Sequence, residues 1–249
     1  MRAMILIPTY NEASTITELL HGLEILRATN DFIFDVTVID DNSPDKTADI
    51  VKSLALDWVC VLKREKKDGL GNAYRAGFAH VLADQRYDQI VTMDADGSHR
   101  VADLPAMFAA ITPGKSIVLG TRWIPGGSVV NWPKSRQLLS KSGTRYASFS
   151  LGIKLADLTG GFRIYSRQLL DSLNLKDMNA TGYCFQIEMA LAAHLAGAKA
   201  TEVPITFVER INGVSKMSRA IVIEALIQTT RWGVKRRLRP NADKLHYVK

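Results

Sequence analysis

Short apolar runs alternate with amphipathic segments along the first half of the chain. Runs rich in β-branched residues predict five strands, at Met4 to Ile7, Val36 to Ile39, Trp58 to Leu62, Ile90 to Met93 and Ile117 to Leu119. Segments with helical spacing lie between them: one starts at a Thr15–Glu18 capping box, and the others cover Asp45 to Leu54, Leu70 to Leu82 and Asp103 to Ile111. This alternation predicts βαβ units around a mostly parallel sheet.

The second half has a different pattern. Gly120 to Pro133 is rich in Gly and Pro, which is typical of a functional loop. A helix over Leu138 to Leu151, a loop over Asp157 to Arg163 and a strand near Ala200 to Val208 are predicted after it. The sequence contains no internal repeat, low-complexity segment or linker. We therefore expect a single α/β domain, with the catalytic part at 1–217 and a basic amphipathic helix and tail at 218–249.

Polar clusters follow three of the predicted strands at their carboxyl ends. They are Pro8 to Glu12, Asp40 to Pro44 and Asp94 to Asp96. Ligands bind outside the carboxyl ends of strands in such sheets, and alternation places Asp94 and Asp96 on one side of the chain. Two carboxylates can hold Mg²⁺ or Mn²⁺ together with substrate phosphates. One Asp-x-Asp alone could be a solvated turn, but three clusters on one edge favour a nucleotide diphosphate site.

Composition limits the class of partner. The 249 residues carry a formal charge of +7, which favours anionic partners without choosing among nucleotides, phospholipids and nucleic acid. Apart from those in the tail, the basic residues are spread over the chain without interleaved aromatics, so we expect no nucleic-acid partner. No run reaches the roughly 18 apolar residues of a membrane span, and the first apolar run is too short for a signal peptide. Cys60 and Cys184 predict buried thiols and a cytosolic compartment.

An ordered series of short motifs narrows the class further. The motifs are Ile7 to Glu12, Val38 to Asp45, Gly69 to Gly71, Met93 to Asp96, Gly120 to Trp123, Asn131 to Pro133, Asp157 to Arg163, Gly182 to Gln186 and Glu209 to Lys216. In order and spacing they resemble the family 2 glycosyltransferases, and within them most of all the dolichol-phosphate and polyprenol-phosphate mannose synthases. The resemblance spans Met4 to Met217.

This resemblance implies a GT-A-type, Rossmann-like fold, a GDP-mannose donor, a divalent metal and a polyprenyl monophosphate acceptor. Its implied donor-nucleotide residues are Pro8, Tyr10, Glu12, Ile39, Asp41, Asp94, Ala95 and Asp96. Its implied catalytic residues are Asp94, Asp96, Arg122 and Arg210, and its implied acceptor-phosphate residues are Arg122, Arg136 and Ser140. The implied metal ligands are Asp94 and Asp96. Ser98 stands where some relatives place a Gln ligand, so the third protein ligand stays open.

The expected chemistry needs no protein base. A metal and arginine forks neutralise the charge that builds on a leaving diphosphate. A phosphate monoester has a second pKa of about 6, so at neutral pH it is mostly a dianion that can attack unaided. We therefore expect one in-line displacement with inversion, which gives a β-linked mannosyl phosphate. Asp157 is the only tempting base, and it is equally interpreted as the cap of the turn at Thr159 to Gly161.

Three other features have two interpretations each. His99 could reach the metal, but a supporting role beside the acidic motif is favoured. The charge run Lys63 to Asp68 is interpreted as a solvated loop, or else as a phosphate-facing one. Trp123 and Trp132 either line a lipid entrance or pack.

The tail predicts how the chain meets a lipid. Apolar residues that include Ile221, Leu226 and Trp232 fall on one helical face, and the basic residues Arg231, Lys235, Arg236, Arg237 and Arg239 lie near its end. Such a helix can lie on an anionic membrane, so we expect a peripheral protein on the cytosolic face. Packing on the catalytic domain and recruitment by a membrane-embedded partner are the alternatives.

Two rival functions remain open at this point. The first keeps the lipid acceptor and uses another donor, such as UDP-glucose. The second is a non-catalytic nucleotide-binding partner of a membrane glycosylation complex. The intact Asp94, Asp96, Arg122 and Arg136 argue against the second rival.

Overall fold

A computed structural model describes residues 1–180, 182, 184–209, 219–238, 244 and 246–249, with the side chains of 219–222 excepted. Its strands are β1 (Arg2–Thr9), β2 (Ile33–Asp40), β3 (Val59–Lys63), β4 (Gln89–Thr92), β5 (Ser116–Thr121), β6 (Ser128–Val130), β7 (Arg163–Ser166), β8 (Lys199–Pro204) and β9 (Thr206–Val208). Its helices are α1 (Ile16–Thr29), α2 (Thr47–Ser53), α3 (Leu70–Leu82), α4 (Leu104–Ala109), α5 (Lys134–Leu151), α6 (Arg167–Asp171), α7 (Cys184–Leu195) and α8 (Arg219–Leu238).

The large sheet has the order β3-β2-β1-β4-β7-β5-β8. Strand β7 runs antiparallel to both β4 and β5, whereas the other pairs are parallel. The predicted mostly parallel sheet flanked by helices is therefore confirmed. The single strand predicted near Ala200 to Val208 is wrong, because the chain leaves the large sheet at Ile205 and β9 pairs with β6 in a small second sheet.

Alternate residues of the central strands enter two apolar layers. Met4 and Leu6 face the side that also holds Phe78 of α3, whereas Ile5 and Ile7 face the side of α1 and α4. Both faces of β1 are covered, so its sequence is a continuous apolar run without alternation. The core therefore holds the carboxyl ends of β1, β2 and β4 rigidly at one edge.

Several local predictions differ from the structure. The capping box does not form: Thr15 precedes α1, but its hydroxyl donates to the Glu12 main-chain oxygen at 3.2 Å and accepts no helix N–H. Cys60 is exposed, not buried, because β3 is an edge strand of the sheet. Cys184 is buried as expected, and both thiols are free. Helix α5 starts directly after Pro133, four residues before the predicted Leu138.

The C-terminal helix α8 packs along α5. Trp232 and Gly233 are buried in this contact, so this part of the helical face expected to meet a membrane faces the protein instead, whereas Leu226 of the same predicted face is exposed. Tyr247 is also buried, and its hydroxyl donates to Glu188 at 3.2 Å. The predicted boundary between 217 and 218 lies outside the described residues. No helix in the described part of the chain is long and apolar enough to span a bilayer.

We predict that Gly233→Ala destabilises the fold through this helix contact. A Cβ on Gly233 would lie 2.7 Å from the Ser150 main-chain oxygen and closer still to its hydroxyl, which overpacks the interface. The expected loss is about 1–3 kcal/mol, or several degrees in the melting temperature. Thermal unfolding followed by circular dichroism measures it.

Gly143→Ala is the matched control. It adds the same methyl group on α5 where no atom lies within 4 Å. Alanine is a better helix former than glycine, so this variant should melt at the same temperature as the parent or higher. Equal destabilisation of both variants would show that the α5–α8 contact is not closely packed.

Candidate functional site

The three predicted polar clusters meet at one edge of the sheet. Strand β1 lies between β2 and β4, with Thr9 opposite Asp40 and Leu6 opposite Thr92. The Thr9 hydroxyl donates to the Asp40 carboxylate at 3.1 Å, and this links the first two clusters directly. The expectation that the clusters share one edge is confirmed.

The loop after β4 presents two carboxylates from a fixed turn. The Asp94 side chain is 30% exposed, whereas Asp96 is 8% exposed and accepts the Ser98 N–H at 3.0 Å. The Asp94 N–H donates to His99 Nδ1 at 3.0 Å, which leaves the ring proton on Nε2. Buried His99 also stacks on Phe162, with ring centroids 4.9 Å apart. His99 thus supports the turn from behind, and its Nδ1 is not free for a metal.

The donor atoms at this turn fit a hard divalent cation that completes its shell elsewhere. The described residues contain no group of three His, Cys, Asp or Glu side chains that could hold a metal. Mg²⁺ and Mn²⁺ sites of this kind use one or two carboxylates together with substrate phosphates and water, which Asp94 and Asp96 can supply. The Ser98 hydroxyl is buried and has no hydrogen-bond partner among the described residues. Its role as a third ligand stays a prediction.

The first two clusters contain the residues implied for the nucleotide. Pro8, Tyr10 and Glu12 are partly exposed at the end of β1, and Lys67 Nζ lies 4.1 Å from the Tyr10 ring centre. The Ile39 side chain is fully buried in the core and packs where Gly77 of α3 leaves room for it. Because the whole residue is buried, the structure does not add support for its implied donor contact, which stays a prediction.

Asp41 has a partner that the sequence did not indicate. Arg64 donates to its carboxylate at 2.7 Å and also pairs with Asp68. Burial raises the pKa of Asp41, and the Arg64 charge opposes that rise. Arg64 is only 14% exposed, so the charge run is not simply a solvated loop. The arrangement places a buried cation beside the predicted nucleotide site.

A buried ion pair joins the end of β5 to the 157–161 loop. Arg122 donates through Nε and Nη2 to the two oxygens of Asp157 at 2.6 and 2.8 Å, and Nη2 also reaches the Thr159 hydroxyl at 2.9 Å. Asp157 Oδ1 also accepts the N–H groups of Thr159 and Gly160, both at 3.1 Å. Asp157 is therefore the turn cap.

These contacts exclude Asp157 as a general base. Burial raises the pKa of Asp157, but the Arg122 charge and the hydrogen bonds outweigh it and hold the pKa below its usual range. The carboxylate is thus a weak base with its lone pairs engaged. Two guanidinium nitrogens of Arg122 donate to Asp157, and its implied contact with phosphate stays a prediction.

Aromatic side chains surround Arg122. Its guanidinium carbon lies 5.3 to 5.4 Å from the ring centres of Trp123, Trp132 and Phe207. Phe207 belongs to β9, which the sequence predicted only as part of a longer strand. Trp132 is buried, so packing accounts for its ring better than an open lipid entrance does.

The implied acceptor residues lie next to this group. Arg136 pairs with Glu209, and its guanidinium carbon lies 4.0 Å from the Trp132 ring centre. Ser140 follows one helical turn later on α5. Arg136 Nε and the indole N–H groups of Trp123 and Trp132 are buried without a hydrogen-bond partner among the described residues. Arg210, implied as catalytic, lies outside the described residues.

The comparisons with known proteins agree on family and fold. The model of "Glycosyl transferase family 2" matches residues 4–173. An undecaprenyl-phosphate mannosyltransferase from Micrococcus luteus is 43% identical over 94% of this chain and 95% of its own length. A polyprenol monophosphomannose synthase from Mycolicibacterium smegmatis is 41% identical over 95% of this chain and 89% of its own length.

Solved structures with lower identity share the fold. Glucosyl-3-phosphoglycerate synthase from Mycobacterium tuberculosis, crystallised with Mn²⁺, UDP and glucosyl-3-phosphoglycerate, aligns with a TM-score of 0.65 at 19% identity, over 95% of this chain and 79% of that one. Mannosyl-3-phosphoglycerate synthase from Rubrobacter xylanophilus aligns with a TM-score of 0.63 at 19% identity, over 98% of this chain and 75% of that one. The GT-A-type architecture expected from the sequence is thereby confirmed.

We predict that Asp157→Asn destabilises the fold strongly at neutral pH. The substitution keeps the shape but leaves the Arg122 charge buried without its partner, at an expected cost of about 3–5 kcal/mol. Because the folded-state pKa of Asp157 is depressed, the stabilisation is fully present above the unfolded value of about 3.9 and is lost as pH falls through the folded-state pKa. Urea unfolding at a series of pH values measures both effects.

The difference in the free energy of unfolding between the parent and Asp157→Asn should therefore become smaller below about pH 4. Asp84→Asn is the control, because it breaks an exposed ion pair with Arg86 and should leave stability nearly unchanged. A small effect of Asp157→Asn at pH 7 would contradict the proposed role of the buried pair.

Proposed function

The chain belongs to glycosyl transferase family 2, and from this premise we propose that it transfers mannose from GDP-mannose to a polyprenyl monophosphate with inversion. The products are a polyprenyl β-mannosyl phosphate and GDP. Two relatives that match nearly the whole chain are named for mannose transfer to such lipids, and this observation carries the proposal. The site geometry supplies independent support for each half of the reaction.

The donor half of the proposal rests on the edge formed by β1, β2 and β4. Tyr10, Glu12 and Asp41 would contact the nucleoside, with Arg64 stabilising Asp41. Asp94 and Asp96 would hold Mg²⁺ or Mn²⁺, which neutralises charge on the departing diphosphate. Neighbours of the same fold crystallised with Mn²⁺ support this cation class.

The acceptor half rests on donor groups near the start of α5. The buried N–H groups of Trp123, Trp132 and Arg136 offer hydrogen atoms and no lone pairs, and Lys141 Nζ lies 4.8 Å from the Trp123 ring centre. Arg136 also pairs with Glu209, but these three N–H groups have no partner among the described residues, and together they suit an anion with many acceptor oxygens, such as a phosphate dianion. Ser140 can add a hydroxyl one turn further on.

The hydrogen bonds that the nearby candidate bases already make favour a phosphate acceptor over a sugar hydroxyl. Asp157 is engaged by Arg122, and His99 Nδ1 is engaged by the Asp94 N–H. A sugar hydroxyl needs a base to remove its proton, whereas a phosphate dianion attacks directly. The described site would then act by positioning and by electrostatic stabilisation.

The exposed sides of α5 and α8 form a surface suited to an anionic membrane. This α5–α8 face carries the apolar residues Leu138, Leu139, Phe149, Ile223, Leu226, Ile227, Val234 and Leu238, and the basic residues Lys141, Arg145, Arg231, Lys235 and Arg237. The Arg237 guanidinium carbon lies 5.6 Å from the Phe149 ring centre, which joins the two helices' exposed sides. We infer peripheral binding at the cytosolic face of the bilayer that contains the acceptor.

Transfer of labelled mannose tests the function. We expect the parent, with Mn²⁺ or Mg²⁺, to make a mannolipid from GDP-mannose and a short polyprenyl phosphate, and Asp96→Asn to lose at least a hundredfold in rate, because it removes a charged ligand. Asp57→Asn alters an exposed carboxylate before β3 and should be fully active. UDP-glucose runs beside GDP-mannose as the rival donor.

Turnover from UDP-glucose alone would overturn the mannose assignment and keep the reaction class. Nucleotide binding without turnover from either donor would favour the non-catalytic alternative.

Vesicle flotation tests the membrane surface. Phe149 and Leu238 are 78% and 75% exposed, so Phe149→Ser with Leu238→Ser should leave the melting temperature nearly unchanged and weaken binding to anionic vesicles about tenfold or more. Ile25→Ser with Ile33→Ser removes apolar residues elsewhere that are 53% and 54% exposed, and this variant should bind normally. Equal binding by both pairs would exclude the α5–α8 face.

A further inference from the structure

Gln186 combines a fixed backbone with a side chain whose amide lacks a partner. It lies in the first turn of α7 and is 2% exposed. Arg163 donates to its main-chain oxygen at 2.6 Å and to the main-chain oxygens of Leu158 and Gly160 at 2.9 and 2.8 Å. Neither amide atom of the Gln186 side chain has a hydrogen-bond partner among the described residues.

The amide lies beside the carboxylates at the end of β4. A Cβ built on Gly161 would lie 3.3 Å from Gln186 Nε2 and 3.8 Å from Asp94 Oδ1. Gly161 is itself held in place, because its oxygen accepts the Thr92 hydroxyl at 2.7 Å. Gln186, His99 and Asp94 therefore border the position that a side chain on residue 161 would occupy.

Leaving such an amide unpaired is costly for stability alone. A buried polar group without a partner costs about 1–3 kcal/mol, and an apolar side chain of the same shape would avoid that cost. Tyr74, whose ring stacks on neighbouring Phe185 at 5.9 Å, likewise has a buried hydroxyl without a partner in the described part of the chain. A binding role for Gln186 accounts for a buried polar group that packing does not require.

The chemistry of the amide indicates the kind of ligand. It offers one acceptor oxygen and two N–H donors, which complements hydroxyl groups that both donate and accept. Phosphate oxygens would leave the acceptor unused. A sugar nucleotide whose diphosphate was held at Asp94 and Asp96 would bring its attached sugar close to this position.

We propose that Gln186 binds hydroxyl groups of the transferred hexose and helps to set which hexose is accepted. This inference rests on the proposed function only in requiring a sugar nucleotide at Asp94 and Asp96. It separates two parts of donor binding: the β1–β2 edge binds the nucleotide, and the start of α7 binds the sugar.

Calorimetric titration of a Gln186→Met variant tests the proposal. With Mn²⁺ present, the ratio of the affinity for GDP-mannose to that for GDP measures how much the sugar adds to binding. The ratio for UDP-glucose and UDP gives the same measure for the rival donor. We expect Gln186→Met to bind the diphosphate as the parent does and to lose about tenfold in affinity for the sugar nucleotide. Its melting temperature should be unchanged or higher.

Gln89→Met is the matched control. Gln89 is also buried with an unpartnered amide oxygen, but it opens β4 at the opposite end from Asp94. This variant should keep the parent's affinities for both ligands.

Two outcomes would overturn the inference. In the first, the parent binds GDP-mannose no more tightly than GDP, or the sugar adds as much affinity in Gln186→Met as in the parent. In the second, both ligands weaken together with a lower melting temperature, which indicates a structural role. Failure of the proposed function looks different: the parent would prefer UDP-glucose to GDP-mannose, and the Gln186 comparison would then be made with that donor.

Discussion

A buried ion pair between Arg122 and Asp157 holds the two parts of the site together. Asp157 caps the loop that continues into Gly161, and Arg122 follows β5 and lies among Trp123, Trp132 and Phe207. Two buried charges are tolerable only when each satisfies the other, so neither partner can change alone without a large cost. The 157–161 loop and the aromatic residues around Arg122 thus depend on one contact.

The Arg122–Asp157 ion pair also limits the chemistry that the site can perform. The ion pair engages the Asp157 carboxylate, which could otherwise have served as a base. The Nδ1 atom of His99 is engaged by the Asp94 N–H in the acidic turn. The carboxylates of Asp94 and Asp96 suit a cation, and the N–H groups near α5, which have no partner among the described residues, suit an anion. A nucleophile that arrives already ionised is what such a site can use. The lipid phosphate proposed as acceptor meets that requirement, and the α5–α8 face would bring the chain to the membrane that contains it.

The sequence predicted the features that depend on local pattern. Strand β1 is mainly a continuous apolar run, β2 and β4 are rich in β-branched residues, and the Asp94–Asp96 spacing is visible without coordinates. Strand β7 was missed because it has four residues and starts with Arg163. The Arg122–Asp157 and Asp41–Arg64 pairs join residues far apart in the chain, so no local signal marks them. Trp232 was assigned to a membrane face because α8 has apolar residues all around, and only its packing on α5 shows which face is buried.

The pH dependence of kcat/KM with two acceptors tests the central claim, that the acceptor phosphate is its own nucleophile. A polyprenyl phosphate and its phosphonate analogue, whose second ionisation lies at higher pH, would be compared under saturating GDP-mannose and metal. The account predicts that the acidic limb of the profile follows the acceptor and moves to higher pH with the phosphonate. An acidic limb at the same pH for both acceptors would assign proton removal to a protein group and contradict the account.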